Sequence, residues 1–323
     1  MTGNTSIDLS LANVWRSWYR FNKGKRRTLE LEIFEYNLER NLIELQVDLK
    51  SGRYIPGQLR HFMIYDNKKR QISVAPIRDR VVHRLIYDYL VEVYDKKFDF
   101  DVWSCREDKG SDKAIARAYY FLRKYSGCFI WRADIRKFFE SVDKRVLMKL
   151  LIRKLSDRIT LDLLWKTISA AAPLAQHGDT GIPIGNLTSQ IFANIYLNEF
   201  DRFVRHRVKP LAYMRYGDDF LVLANNKELL KTTREEAIEF LYSRLSLELN
   251  RKNEAIIPCN RGIKFLGVNT YLSGIILNQR NQSRITKKLD FHNIASYRCI
   301  ISKYYQKGLP FFGWKVANLL SIA

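Results

Sequence analysis

The sequence predicts an α+β fold, and three stretches carry that prediction. CFIWRADI, residues 128–135, reads as a buried strand ending on Asp134, with a helix soon after. LAYMRY and DFLVLA flank Gly217-Asp218 as the two strands of a hairpin. IKFLGVNTYLSGIIL, residues 263–277, reads as a pair of strands following a long helix. The order β-α, loop-α, β-hairpin, α, β is that of a sheet domain with helices set beside it.

From the N-terminus, residues 10–50 are helical in pattern. In TLELEIFEYNLERNLIELQVDLKSG, Leu31, Phe34, Leu38, Leu42 and Leu45 recur at three or four, and Gly52 closes the run. Before it lies a basic loop, RFNKGKRR, with aromatic neighbours Trp15, Trp18, Tyr19 and Phe21. RHFMIYDNKKRQISVAP reads as a hairpin around DNKK. IRDRVVHRLIYDYLVEVYD and DKGSDKAIARAYYFLRKYSG read as helices. HGDTGIPIGNLTSQIFANIYLNEFDRFV is a Gly/Pro-rich loop leading into a long helix. KELLKTTREEAIEFLYSRLSLEL is another helix. The last 43 residues read as mostly helical, with seven basic residues against one acidic, and carry Tyr304, Tyr305, Phe311, Phe312 and Trp314. No disordered linker divides the chain, so its parts are expected to form subdomains of one body.

Composition narrows the function. Fifty-five Lys and Arg against 34 Asp and Glu give a net charge of +21, which favours a polyanionic partner, nucleic acid first. There is no run of 18 apolar residues and no leader pattern, so a soluble, cytoplasmic protein is expected. Cys105, Cys128, Cys259 and Cys299 are widely spaced, with no Cys-x-x-Cys, and no His-Glu-x-x-His occurs; reduced thiols and no zinc site are expected.

The adjacent carboxylates Asp218 and Asp219 pose the sharpest question, because buried charge is costly unless something pairs with it. A plain Gly/Asp turn is the simplest answer. Phosphoryl transfer supplies another: two divalent ions about 4 Å apart activate the attacking oxygen and stabilise the leaving one. Magnesium takes oxygen ligands. Asp134 at a strand end and Asp218/Asp219 on the hairpin supply such ligands if their strands lie side by side.

FIWRADIRKFFESVD, GIPIGNLTSQIFANIYLNEFD, YMRYGDDFLVLA and IKFLGVNTY stand in the order of reverse transcriptase motifs, and the chain resembles that family from about residue 40 to 275. KKRQISVAPIRDRVVH is similar to the fingers motif of the group II intron-like lineage. The resemblance implies a right-hand polymerase: an N-terminal extension and fingers over residues 1–125, a palm over 126–280 with an antiparallel sheet carrying the catalytic aspartates, and a thumb over 281–323 that grips the duplex backbone. It implies that Asp134, Asp218 and Asp219 bind two Mg2+ ions, with Mn2+ as the alternative, and that the Ile135 carbonyl assists. Arg70, helped by Lys69, holds the incoming triphosphate, and Phe139 is the gate against a ribose 2′-hydroxyl. Tyr216 packs near the primer end, and Phe265, Leu266 and Gly267 form the primer grip. Lys252 stands one residue early for the family's general acid and is more simply an exposed lysine. The lysine often found upstream of Arg70 is missing, with Lys68 or Lys69 as substitutes.

The fourth motif is sharper. Where most reverse transcriptases have Gln-Gly, this chain has Ile184-Gly185, followed by Asn186, Leu187, Thr188, Ser189 and Gln190. That pattern, the length and the early YIPGQLRHF resemble the enzymes of diversity-generating retroelements. The likeness implies error-prone copying of a template-repeat RNA at its adenines, with the cDNA replacing a variable region of a target gene. It implies template RNA, the RNA/cDNA duplex and deoxynucleotides as partners, and a small basic accessory variability protein; residues 14–27 are the candidate surface for it. A glutamine side chain hydrogen-bonds, and Ile184 cannot, so looser geometric checking is expected. Gly-Asp-Asp also occurs in RNA-dependent RNA polymerases, but Phe139, five residues after Asp134, argues for deoxynucleotides. An intron maturase, a retron or defence enzyme, and an inactive nucleic-acid-binding scaffold are the remaining alternatives.

Overall fold

The structure, a computed structural model, describes residues 6–65, 69–170, 179–290, 293–305 and 308–322. Three helices open the chain: α1 (Leu11–Asn22), α2 (Leu29–Tyr36) and α3 (Leu38–Lys50). The run read as one helix is thus two, broken at Asn37. Asn41 caps the break by donating its side-chain amide to the Phe34 carbonyl at 2.9 Å. Leu31, Leu42 and Leu45 are buried as their spacing requires.

A two-stranded hairpin follows, β1 (Arg60–Tyr65) with β2 (Lys69–Val74), in antiparallel register from Arg60↔Val74 to Tyr65↔Lys69. Its turn, with Lys68, lies outside the described residues. α4 (Ile77–Tyr94) and α5 (Ser111–Lys124) lead into the central sheet. That sheet contains β3 (Phe129–Asp134), β4 (Ala212–Tyr216), β5 (Asp219–Ala224) and β6 (Ala255–Pro258), ordered β4-β5-β3-β6 and antiparallel throughout. β6 was not foreseen. The helix read through Leu249 stops at Leu245, and Leu249 instead makes an isolated bridge to Ile135.

Both faces of the sheet are covered, which is why its strands read as nearly continuous apolar runs. Trp131, Ala133, Phe220 and Val222 point into the main core, whereas Ile130, Met214, Leu221 and Leu223 point into a second one. The main core is completed by helices connected in sequence around the sheet: α6 (Phe138–Ser141), α7 (Lys144–Ile152), α8 (Arg158–Ser169), α9 (Leu187–Phe203) and α10 (Lys227–Leu245). Phe200 of α9 meets the Phe220 ring at 5.1 Å, and Trp131 meets the same ring edge-on at 5.2 Å. Fully burying one such side chain contributes about 1.5–3 kcal/mol.

Residues 263–277 hold three strands, not two: β7 (Ile263–Phe265), β8 (Val268–Tyr271) and β9 (Gly274–Leu277). Beyond them, α11 (Gln279–Lys288), α12 (Ile294–Tyr304) and α13 (Leu309–Ile322) bear out the helical reading of the tail. Ile285, Ile301 and Phe312 pack with Val268 and Leu277 as a third core, leaving Phe311 and Trp314 exposed. The Lys303 ammonium pairs with Asp112 at the start of α5.

Candidate active site

Backbone pairing brings the three carboxylates together. β3 and β5 are adjacent and antiparallel, and their register sets Asp134 directly opposite Asp219. β4 and β5 are joined by a two-residue turn whose flanking pair is Tyr216↔Asp219. Gly217 occupies its first turn position with φ +64°, where a type II′ hairpin takes glycine. The Ile135 N–H donates to the Asp218 carbonyl at 3.3 Å, tying the turn to the end of β3.

Asp219 and Asp134 meet different donors. Arg132, two residues before Asp134 on the same strand face, donates to both Asp219 oxygens at 3.1 and 2.9 Å. Asn250 and Asn253 donate to Asp134 Oδ2, both at 3.2 Å, and Asp134 Oδ1 is buried without a partner. With the side chains held this way, no group of three or more ligating residues is gathered tightly enough, among the described residues, to hold a metal as it stands. The donor set nevertheless fits a hard divalent cation: it is all oxygen, and it includes a buried carboxylate oxygen, Asp134 Oδ1, with no partner.

Burial pushes the Asp219 carboxyl up to about 6; Arg132 opposes the shift, while Asp218 and Asp134 add to it. Its pKa in the fold therefore lies above that in the unfolded chain. Its contribution to stability is complete below the ordinary carboxylate value and is lost as pH rises through about 6. The metal-free protein is expected to lose melting temperature between about pH 4 and pH 6 from this residue, and Asp219→Asn to abolish that slope. A flat profile in the wild type, or an unchanged slope in the variant, contradicts the assignment.

Around the carboxylates, Phe138 is buried and Phe139 is only half-buried, meeting Phe138 ring to ring at 5.5 Å. The two adjacent phenylalanines thus separate into a core residue and an accessible one. The Ser73 N–H of β2 donates to the Ile184 carbonyl at 2.8 Å, which seats the β1–β2 hairpin on the Ile184-Gly185 segment. Gly185 is required there: its φ is +113°, and a Cβ would lie 2.8 Å from Ile72 and 2.9 Å from the Ser73 carbonyl. Lys69 and Arg70 stand exposed at the start of β2, Lys69 over the Tyr65 ring at 5.6 Å. Tyr216 and Leu266 both pack on the second core. Leu266 and Gly267 form the turn from β7 to β8 with φ +47° and +86°, the two positive values of a type I′ turn, at a position where leucine is strained. Lys252 is exposed on the turn between Asn250 and Asn253.

Several supporting residues were not legible beforehand. Arg215, one residue before Tyr216, is completely buried and pairs with Asp201 of α9 through bonds of 2.7 and 2.6 Å. Its guanidinium also donates to the Gly217 carbonyl at 2.9 Å and to Asn194 at 3.3 Å. The Gly217 N–H donates to Ser104 Oγ at 2.9 Å, and Asn194 donates to the Ser104 carbonyl at 3.0 Å. Both polar groups of Gly217 are thus fixed from beneath. In the basic N-terminal stretch the four aromatics divide: Trp18 and Phe21 are core residues, Trp15 is half-buried and Tyr19 is exposed. Lys23 and Lys25 instead line a cavity of about 480 Å3 with Arg20, Arg80, Arg84 and Gly185.

Comparison with known proteins places the chain in a family and a fold. The family model described as reverse transcriptase (RNA-dependent DNA polymerase) matches residues 63–270. Protein YkfC of Escherichia coli is 29% identical over 70% of this chain and 70% of its own length. The group II intron-encoded protein LtrA of Lactococcus lactis is 22% identical over 71% of this chain but 49% of its own, so the chain spans about half of that relative. Among solved structures, telomerase from Candida albicans, with a fragment of telomeric RNA, superposes with a TM-score of 0.52 at 14% identity, covering 77% of this chain and 50% of that one. Apo telomerase from Candida tropicalis gives 0.52 at 12% identity, with 76% and 55% covered. At such identities the likeness is one of fold: the right-hand polymerase architecture.

Proposed function

We propose that this chain, which belongs to the reverse transcriptase (RNA-dependent DNA polymerase) family, copies a template-repeat RNA into adenine-mutagenic cDNA that diversifies a target gene. The observation that carries the finer reading is Ile184-Gly185 at the joint between β2 and α9, where an apolar side chain replaces a hydrogen-bonding one.

In this reading an N-terminal extension and the fingers comprise residues 1–125, the palm 126–280 and the thumb 281–323. Asp134, Asp218 and Asp219, with the Ile135 carbonyl, hold two Mg2+ ions. When bound, these ions neutralise charge on the transferring phosphoryl group. The chain's own residues orient the reactants. Arg70 and Lys69 take the triphosphate, Phe139 excludes the ribose 2′-hydroxyl, and Ile184 with Gly185 lines the nucleotide position. Tyr216 and the Phe265–Gly267 turn hold the primer end. Lys252 stays a solvated lysine. Arg20, Lys23, Lys25, Arg80 and Arg84 face the backbone of the entering template strand. A small basic accessory protein is the expected partner, and the cytoplasm the expected compartment. No helix among the described residues is long and apolar enough to cross a membrane.

Sequencing cDNA made on an adenine-containing RNA template tests the proposal. The wild type is expected to misincorporate mainly opposite adenine, and Ile184→Gln to cut those errors roughly 10-fold, the worth of about 1.4 kcal/mol in one polar contact. An error spectrum that Ile184→Gln leaves unchanged removes the link between this residue and fidelity. The intron-encoded relative supports a second reading, a group II intron-type enzyme. Accurate cDNA with no adenine bias selects it.

A further inference from the structure

Away from the carboxylates, two adjoining cavities of about 390 and 330 Å3 share Lys97, Asn198 and Arg202 as walls. They lie where the end of α4, the end of α7 and the second half of α9 meet. Asn198 is 11 residues along α9 from Leu187, or about 17 Å at 1.5 Å per residue, so this is the end of the helix remote from Ile184-Gly185. Arg205 anchors the same region to the Tyr213 carbonyl on β4, away from the Tyr216–Asp219 turn. None of the three aspartates lines either cavity.

Three features there lack a structural explanation. First, the positive charge is not neutralised. Asp99 is held by Arg205 and Asp201 by Arg215, and Glu199 is shared between Arg153 and Arg202. Lys97 and Lys154 have no carboxylate partner among the described residues, and the Lys97 ammonium is pushed down by burial and by Lys154. Second, two lining side chains carry buried polar atoms with no partner: the hydroxyl of Tyr94, which is only 5% exposed, and Asn198 Oδ1. Leaving such atoms unsatisfied is costly. Third, Val204–Val208 winds as a π-helical turn, a local distortion that recurs at functional sites, and Arg205 and His206 of that turn line the larger cavity.

We infer that this paired cavity is a second RNA-binding site, which takes a phosphodiester of the template RNA outside the copying cleft. The ammonium and guanidinium groups and the Tyr94 hydroxyl are donors, and a phosphate is purely an acceptor. The Asn198 oxygen is an acceptor inside a cationic pocket, which suits a ribose 2′-hydroxyl and so favours RNA over DNA. The inference rests on the reading that the chain copies RNA.

The test compares the Lys97→Glu/Lys154→Glu double variant, Asn198→Ala and the wild type on four probes: a long single-stranded RNA, DNA of the same sequence, a short primed RNA template that fills only the cleft, and inorganic phosphate. The double variant is expected to bind the long RNA at least roughly 10-fold more weakly, and to flatten the salt dependence by about 1.4 in log K against log salt, two contacts at 0.7 each. Binding and extension of the short template stay unchanged, and Asn198→Ala narrows the preference for RNA over DNA. Equal loss on short and long RNA, or no loss on either, overturns the proposal. So does saturation of the pocket by inorganic phosphate with RNA affinity unmoved, which makes it a free-phosphate site. Failure of the wild type to extend the short template counts against the polymerase reading alone, because the binding comparison needs no synthesis.

Discussion

Asp218→Ala is expected to lower nucleotide addition by at least about 1,000-fold, close to 4 kcal/mol of lost transition-state stabilisation, while leaving RNA–primer affinity and melting temperature near wild type. The reasoning is electrostatic. Asp218 sits in the turn between β4 and β5, beside Asp219 and within the group whose mutual repulsion raises the Asp219 carboxyl. Removing one negative charge relieves the metal-free fold and, in the proposed reading, cripples a site that gathers divalent cations. Steady-state primer extension and a filter-binding titration measure the two halves. Loss of RNA binding in parallel with synthesis would make the residue a folding or docking element.

The second large effect lies beneath the turn. Arg215→Met leaves the Asp201 carboxylate buried with only the Tyr213 hydroxyl, which donates to it at 2.5 Å, in place of a guanidinium. Breaking a buried pair from one side costs about 3–5 kcal/mol, so denaturant melts are expected to shift by that amount. The double variant Arg215→Met/Asp201→Leu removes the stranded charge and is expected to recover much of the stability, since apolar replacements of buried ion pairs are often neutral. It does not restore the donor to the Gly217 carbonyl, so synthesis stays low. Recovery of full activity with stability would show that Arg215 holds the fold and has no part in positioning the Gly217-Asp218 turn.

What the sequence revealed and what it hid have physical causes. The strand ending on Asp134 and the Gly217 hairpin were legible, because apolar runs ending in carboxylates and a Gly-Asp turn are local signals, whereas their side-by-side pairing is long-range and stood only as a condition. The Phe138/Phe139 pair was readable as one core and one gate candidate only in part, since adjacent aromatics do not say which faces inward. Arg215, Ser104, Asn194 and Asp201 were missed because their partners are up to 113 residues away, and no periodicity encodes such a pairing. A buried arginine inside the apolar run LAYMRY was the available signal: a charge there demands a partner. Asn250 and Asn253 were overlooked for a similar reason. The charged Lys252 between them is solvent-exposed, whereas the two neutral amides reach Asp134. The break at Asn37 was invisible to a pattern that counts only apolar spacing, and β6 is a four-residue strand whose identity comes from pairing with β3.

The most direct test of the central claim is primer extension by the purified chain on an RNA template, with deoxynucleotides or ribonucleotides, with and without Mg2+. Metal-dependent extension with deoxynucleotides, and little with ribonucleotides, is the predicted result and supports the roles given to the three aspartates and Phe139. Equal or better extension with ribonucleotides contradicts it and moves the chain to RNA synthesis.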